Sequence, residues 1–159
     1  MRTRPLTVLA ITLAVAVLMF HAIIAYAADQ AGTWKLNIAK SKYSPGPPPK
    51  EATLKIEAEA DGLKFTIDGT DAEGKAVHME FSPKYDGKDY PTTGMANADS
   101  ISMKKINDNT IETVSKKDGK PVMTVRSTVS KDGKTRTTTQ KGKNAKGQAV
   151  NNTLVYDKQ

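Results

Sequence analysis

Residues 61–81 read DGLKFTIDGTDAEGKAVHMEF, and this stretch decides the fold. Leu63, Phe65 and Ile67 alternate with Lys64, Thr66 and Asp68. A turn-forming cluster with Asp71, Glu73 and Gly74 follows, and then Val77, Met79 and Phe81 alternate with His78 and Glu80. Successive side chains of a strand point to opposite faces, so each run presents one apolar and one polar face. Two such runs on either side of a glycine turn make a β-hairpin.

The same grammar extends in both directions. Turn signals recur at Asp61-Gly62, Glu73-Gly74, Asp86-Gly87, Asn107-Asp108-Asn109, Asp118-Gly119, Asp132-Gly133 and Lys146-Gly147. Between them, Leu54 and Ile56 share a face, as do Ile101 and Met103. Ile111 and the 122–129 run follow, and Val150, Asn152, Leu154 and Tyr156 share a face near the end. The spacing predicts strands over 32–38, 52–60, 62–70, 75–84, 98–106, 109–117, 121–131, 133–141 and 148–157. No intervening segment is long and helical enough to cross between parallel strands. A meander of short hairpins hides its edges by closing, so the expected fold is all-β, a small antiparallel up-and-down barrel of about eight to ten strands.

Two stretches depart from the pattern. Ser44-Pro45-Gly46-Pro47-Pro48-Pro49 cannot be a central strand, because proline lacks the backbone donor and fixes φ. It reads as a stiff connector after the first strand. Residues 89–99, with Pro91 and Gly94, read as the longest loop. The 134–141 strand is a third oddity, since Thr-Arg-Thr-Thr-Thr-Gln carries no large apolar side chain on either face. Either it lies exposed, or its inner face lines a polar interior suited to a polar or anionic ligand. In the second case Thr137 is a candidate ligand contact.

Residues 1–27 stand apart. Arg2 and Arg4 precede an apolar run over 6–24, and Ala25-Tyr26-Ala27 is a small-x-small triplet. This order is that of a secretory signal peptide cleaved after Ala27, leaving 28–159 as one domain that is periplasmic or secreted. The run is also close to bilayer-spanning length, so an uncleaved anchor is the alternative. On the first reading the chain meets a membrane through this segment alone, before cleavage.

The chain has no cysteine, which excludes disulfides, thiolate metal sites, cysteine nucleophiles and a lipidated amino terminus. Its net charge is +7; taking Arg2 and Arg4 from the 24 basic residues leaves 22 against 17 acids, about +5. The excess is scattered lysine, as on a solvated β surface with protected edges; a polyanion or anionic membrane as partner is the sharper alternative. Export and the lack of interleaved aromatics argue against nucleic acid.

Catalysis has little to draw on. His78 is the one histidine after residue 27, and Glu80 on its face does not complete a metal site. Asp68, Asp71 and Glu73 miss the spacing of a calcium loop. There is no Gly-x-Ser-x-Gly elbow or phosphate-cradling glycine loop. No enzyme activity, cofactor or metal is expected, and the chain reads as a monomer.

Gly32-Thr33-Trp34-Lys35-Leu36-Asn37 resembles the Gly-x-Trp opening of the calycin superfamily, the lipocalins and fatty-acid-binding proteins. Asp118-Gly119-Lys120, then Met123-Thr124-Val125-Arg126, then Asp132-Gly133-Lys134 and the ending Leu154-Val155-Tyr156-Asp157-Lys158 resemble the fatty-acid-binding branch. The chain also resembles exported bacterial lipocalin-like proteins of unknown role. The resemblance implies a lipocalin-like barrel with Trp34 packed structurally across its closed end. It implies that Arg126 and Tyr156 hold the acidic head of a small hydrophobic or amphipathic ligand. Leu154 stands where that branch has a second arginine, and the proline stretch stands where it has two helices. Strand parity pulls the other way on Arg126, because Met123, Val125 and Val129 form an apolar face that would turn it outward. Two functions follow as expectations: a binding protein for a small apolar or amphipathic anion, or an envelope interaction module with a filled barrel and no ligand.

Overall fold

The alternation in 61–81 becomes two antiparallel strands whose apolar residues meet across the pair, Phe65 opposite Phe81 and Ile67 opposite Met79. The computed structural model describes residues 30–159, so the signal peptide and cleavage site expected from sequence lie outside the described residues. Ten strands follow in order: β1 (Gly32–Leu36), β2 (Glu51–Ala58), β3 (Leu63–Thr70), β4 (Ala76–Phe81), β5 (Tyr90–Thr93), β6 (Ser100–Asn107), β7 (Thr110–Lys117), β8 (Lys120–Val129), β9 (Thr135–Lys143) and β10 (Ala149–Lys158). A one-turn 3-10 helix, Ile38–Lys40, follows β1. Each strand pairs antiparallel with its sequence neighbours, and β1 also pairs with β10, so the sheet closes into an up-and-down barrel with no free edge.

One expectation is corrected. The 89–99 stretch is not all loop, since β5 lies within it. This strand is only four residues long and contains Pro91, so it shows neither the length nor the alternation by which strands announce themselves. It exists because β4 and β6 must be bridged for the barrel to close, and it joins each through two residue pairs.

The proline stretch is a strap outside the barrel, as its chemistry requires. It is tied to β10 by hydrogen bonds from Ser44 N to Asn152 Oδ1 (2.9 Å) and from Asn151 N to Ser44 O (2.7 Å). The β7–β8 turn shows how the Asp-Gly signals act. Asp118 and Gly119 both have positive φ, 50° and 72°, the twist a two-residue hairpin needs.

The core occupies one end of the barrel. Trp34, Leu63 and Met103 are fully buried there, with Ile56, Ile111 and Val129 almost so. Trp34 is a floor plate, as expected for the closed end. Its indole N–H donates to the Gln30 carbonyl at 3.3 Å, and the Lys158 ammonium lies 5.1 Å from the ring centroid.

Candidate functional site

Above the floor the barrel encloses a chamber of about 220 Å³. Its walls differ sharply. From β2 to β7 the lining is apolar: Leu54, Phe65, Ile67, Met79, Phe81, Ile101 and Ile111. The rings of Phe65 and Phe81 stack with centroids 4.9 Å apart and planes 20° from parallel. From β7 to β10 the lining is mostly polar, Thr113, Ser115, Ser127, Arg136, Thr138, Gln140 and Tyr156, with Val125 as an apolar exception. The division follows from sequence: Thr113, Ser115 and Ser127 put hydroxyls at inward positions of β7 and β8, and β9 turns in Arg136, Thr138 and Gln140, where β3 and β4 turn in hydrocarbon.

Arg136 is the centre of the polar wall. It is 1% exposed, and among the described residues no other charged side chain is buried to that degree. Its Nη1 donates to Gln30 Oε1 at 2.7 Å, and Gln30 Nε2 in turn donates to the Asn109 carbonyl at 3.2 Å. The Gln30 oxygen is neutral, so this contact satisfies a donor without cancelling the charge. Ser127 and Thr138 exchange a hydroxyl hydrogen bond of 3.0 Å beside it. Asn152 Nδ2 donates to Gln140 Oε1 at 3.1 Å higher on the same wall.

The site residues expected from sequence fall on both sides of the sheet. Tyr156 is inside, directly opposite Arg136 in the β9–β10 register. Trp34 is inside, at the floor. Arg126 is outside: it is exposed on β8, and its Nη2 meets Glu112 Oε2 at 3.2 Å. Thr137 is outside as well, exposed on β9. The expectation that Arg126 and Thr137 line the interior is therefore corrected. Strand parity is the reason. Val125, Ser127 and Val129 point inward, so Arg126 cannot, and Thr137 is flanked by inward Arg136 and Thr138. Arg136 takes the interior place that the resemblance assigned to Arg126. Gln30 also escaped the sequence reading, since a lone glutamine before the first strand carries no signal. His78 lies on the outer surface, 2.6 Å from Asp68 through Nδ1, and this contact raises the pKa of its imidazole.

Burial pushes the Tyr156 phenol up to about 12, against a smaller downward pull from the Arg136 charge and a slight rise from Tyr43. The neutral phenol is thus favoured in the folded state. Its contribution to stability is complete below the ordinary tyrosine value of about 10 and is lost as pH rises from there through about 12. Phenolate absorbance during an alkaline titration should show one tyrosine ionising only near pH 12, together with unfolding. Tyr156→Phe should abolish that last step; its persistence would assign the step to another tyrosine.

No protein-family model matches the chain, and no curated protein matches it. Solved β-barrel structures do, among them the following two. The zebrafish ileal bile-acid-binding protein, complexed with cholic acid, is 14% identical, with 82% of this chain and 99% of that one covered at a TM-score of 0.50. A redesigned β-barrel is 13% identical, with coverages of 84% and 94% and a TM-score of 0.48. At such identity the likeness to the bile-acid-binding protein shows a shared fold alone, a closed antiparallel β-barrel.

Proposed function

We propose that this chain is an exported, monomeric binding protein that holds a small amphipathic anion, head down, inside its barrel. The observation that carries this reading is Arg136: a permanently charged group at the base of a hydroxyl-lined wall, facing a wall of stacked phenylalanines and aliphatic side chains. An acidic head on the guanidinium would form charge-assisted hydrogen bonds where water is largely excluded. The Tyr156, Ser127 and Thr138 hydroxyls lie on the same wall to complete its coordination. A hydrocarbon body would cover Phe65, Phe81 and Ile101, at roughly 25 cal/mol for each Å² removed from water.

Size decides how such a ligand sits. Small-molecule sites commonly span about 300–1,000 Å³, and the inner chamber alone is smaller than that. It continues into a mouth of about 600 Å³ that shares Met79, Met95, Ser115, Val125 and Gln140 with it. The head and the first part of the body therefore occupy the chamber, and the remainder extends into the mouth. Cholic acid, found with the zebrafish protein of this fold, is an anion of this amphipathic kind.

Titration of the purified protein with anilinonaphthalene sulfonate tests the reading. Saturable one-to-one binding is expected. A long-chain carboxylate should displace the probe, and its methyl ester should displace it about tenfold less well for want of a charge-assisted hydrogen bond. Lack of saturation, together with an intact apo mass for protein taken from its own host, would favour a filled barrel that acts through its surface. Equal displacement by acid and ester would remove Arg136 from the reading.

A further inference from the structure

The passage from solvent to Arg136 runs past one loop. Of the residues lining the inner chamber, five also line the mouth, whereas the cleft beside the proline strap shares Gln140 alone. Met95 lines both chamber and mouth, and its side chain packs against the core from above. It belongs to the segment between β5 and β6, residues 94–99, which lies over the opening instead of turning back at the rim.

The ends of that segment are anchored on the near strands, and its middle reaches across the opening. At one end Gly94 has φ +80°, and a β-carbon there would collide with the His78 carbonyl oxygen of β4. Glycine is what lets the backbone turn inward so close to the sheet. At the other end Asp99 N donates to the Lys116 carbonyl at 2.9 Å, and the Asp99 carboxylate accepts from Asp118 N at 2.9 Å. Between these anchors Asn97 Nδ2 donates to the Lys143 carbonyl at 2.9 Å. Lys143 ends β9, which lies four strands round the ring from β5, so this hydrogen bond spans the opening. It is solvent-exposed, and water can replace either partner.

We infer that residues 94–99 form a lid over the barrel, with Met95 as its stopper and Asn97 as its latch. Opening breaks the Asn97–Lys143 contact, lifts Met95 out of the throat and joins chamber to mouth at full width. Methionine suits the role, since its unbranched thioether fills an irregular gap and repacks at low cost. The biological meaning of the lid rests on the binding reading above, but its motion can be measured without a ligand.

The chain contains no cysteine, so Thr113→Cys places a single thiol on the inner wall of the chamber, below the mouth. Its modification by methyl methanethiosulfonate reports how often the barrel opens. Adding Asn97→Ala should speed modification about fivefold, the change expected from loss of one ordinary hydrogen bond. The urea midpoint should not change with Asn97→Ala; adding Met95→Ala should speed modification further, by more than the small fall in midpoint from its lost packing accounts for. Equal rates with and without the latch would overturn the lid. So would an acceleration matched by a proportionate fall in the urea midpoint, because global unfolding would then be exposing the thiol. Faster labelling in a protein that binds no amphipathic anion would uphold the lid and sink the binding reading. Slow, latch-independent labelling in a protein that does bind one would do the reverse.

Discussion

Replacing Trp34 by alanine is expected to lower the free energy of unfolding by about 3–5 kcal/mol, the range for removing a fully buried large aromatic. Trp34 sits where the barrel is sewn shut. Its backbone is paired with Lys158 of β10 on one side and Leu54 of β2 on the other. The β1–β10 seam holds only three residue pairs, so it depends on what packs beneath it. The indole covers the floor with zero exposure, donates to the Gln30 carbonyl and lies under the Lys158 ammonium. Domains of this size are stable by only about 5–15 kcal/mol, so the loss is a large share of the total. Urea unfolding followed by circular dichroism is the appropriate measurement, since the substitution removes the chain's one tryptophan. Trp34→Phe should recover part of the loss by refilling the floor. A change below about 1 kcal/mol in the alanine variant, as at exposed positions, would show that the seam does not rely on this side chain.

Replacing Arg136 by methionine should weaken binding of a long-chain carboxylate by roughly 10- to 100-fold, corresponding to loss of hydrogen bonds to a charged group worth about 1.5–3 kcal/mol. Binding of the corresponding methyl ester should hardly change. Stability of the unliganded protein should also change little. Loss of the Gln30 contact is offset by removal of a buried charge whose desolvation is itself costly, and methionine fills similar space. That separation of effects distinguishes a ligand-holding arginine from a structural one, whose removal would unfold the protein without altering the preference for acid over ester. Arg126→Ala is the control. Its guanidinium is paired with Glu112 on the outer surface, where such pairs contribute about 0–1 kcal/mol, so ligand affinity and stability should both stay near wild type. A carboxylate affinity unchanged by Arg136→Met would leave the interior charge without the role proposed for it.

The correction from Arg126 to Arg136 shows where a motif and a periodicity conflict. Spacing after Asp118-Gly119-Lys120 pointed to Arg126, and the alternation of Met123, Val125 and Val129 pointed away from it. The periodicity prevailed because it is enforced along the whole strand. Turning Arg126 inward would turn Val125 and Val129 out together. A spacing motif between distantly similar chains has no such physical constraint behind it. Thr137 failed for a different reason. Its strand is polar on both faces, so no local contrast marks the inner one.

The chain's own order of residues was enough to specify antiparallel strands, their turns and a closed barrel. Apolar side chains every second residue have one stable use, a sheet with a dry face, and short glycine turns allow neighbouring strands only. It was also enough to turn Leu54, Phe65, Phe81 and Tyr156 inward. Three-dimensional pairing alone decided the rest. Opposition to Val129 and Tyr156 carried Arg136 into the interior, and closure of the ring recruited β5 from an apparent loop. The fold of 94–99 across the mouth brought Asn97 to Lys143, 46 residues away. Each of these outcomes depends on partners remote in sequence, and a local pattern carries no information about a partner it does not contain.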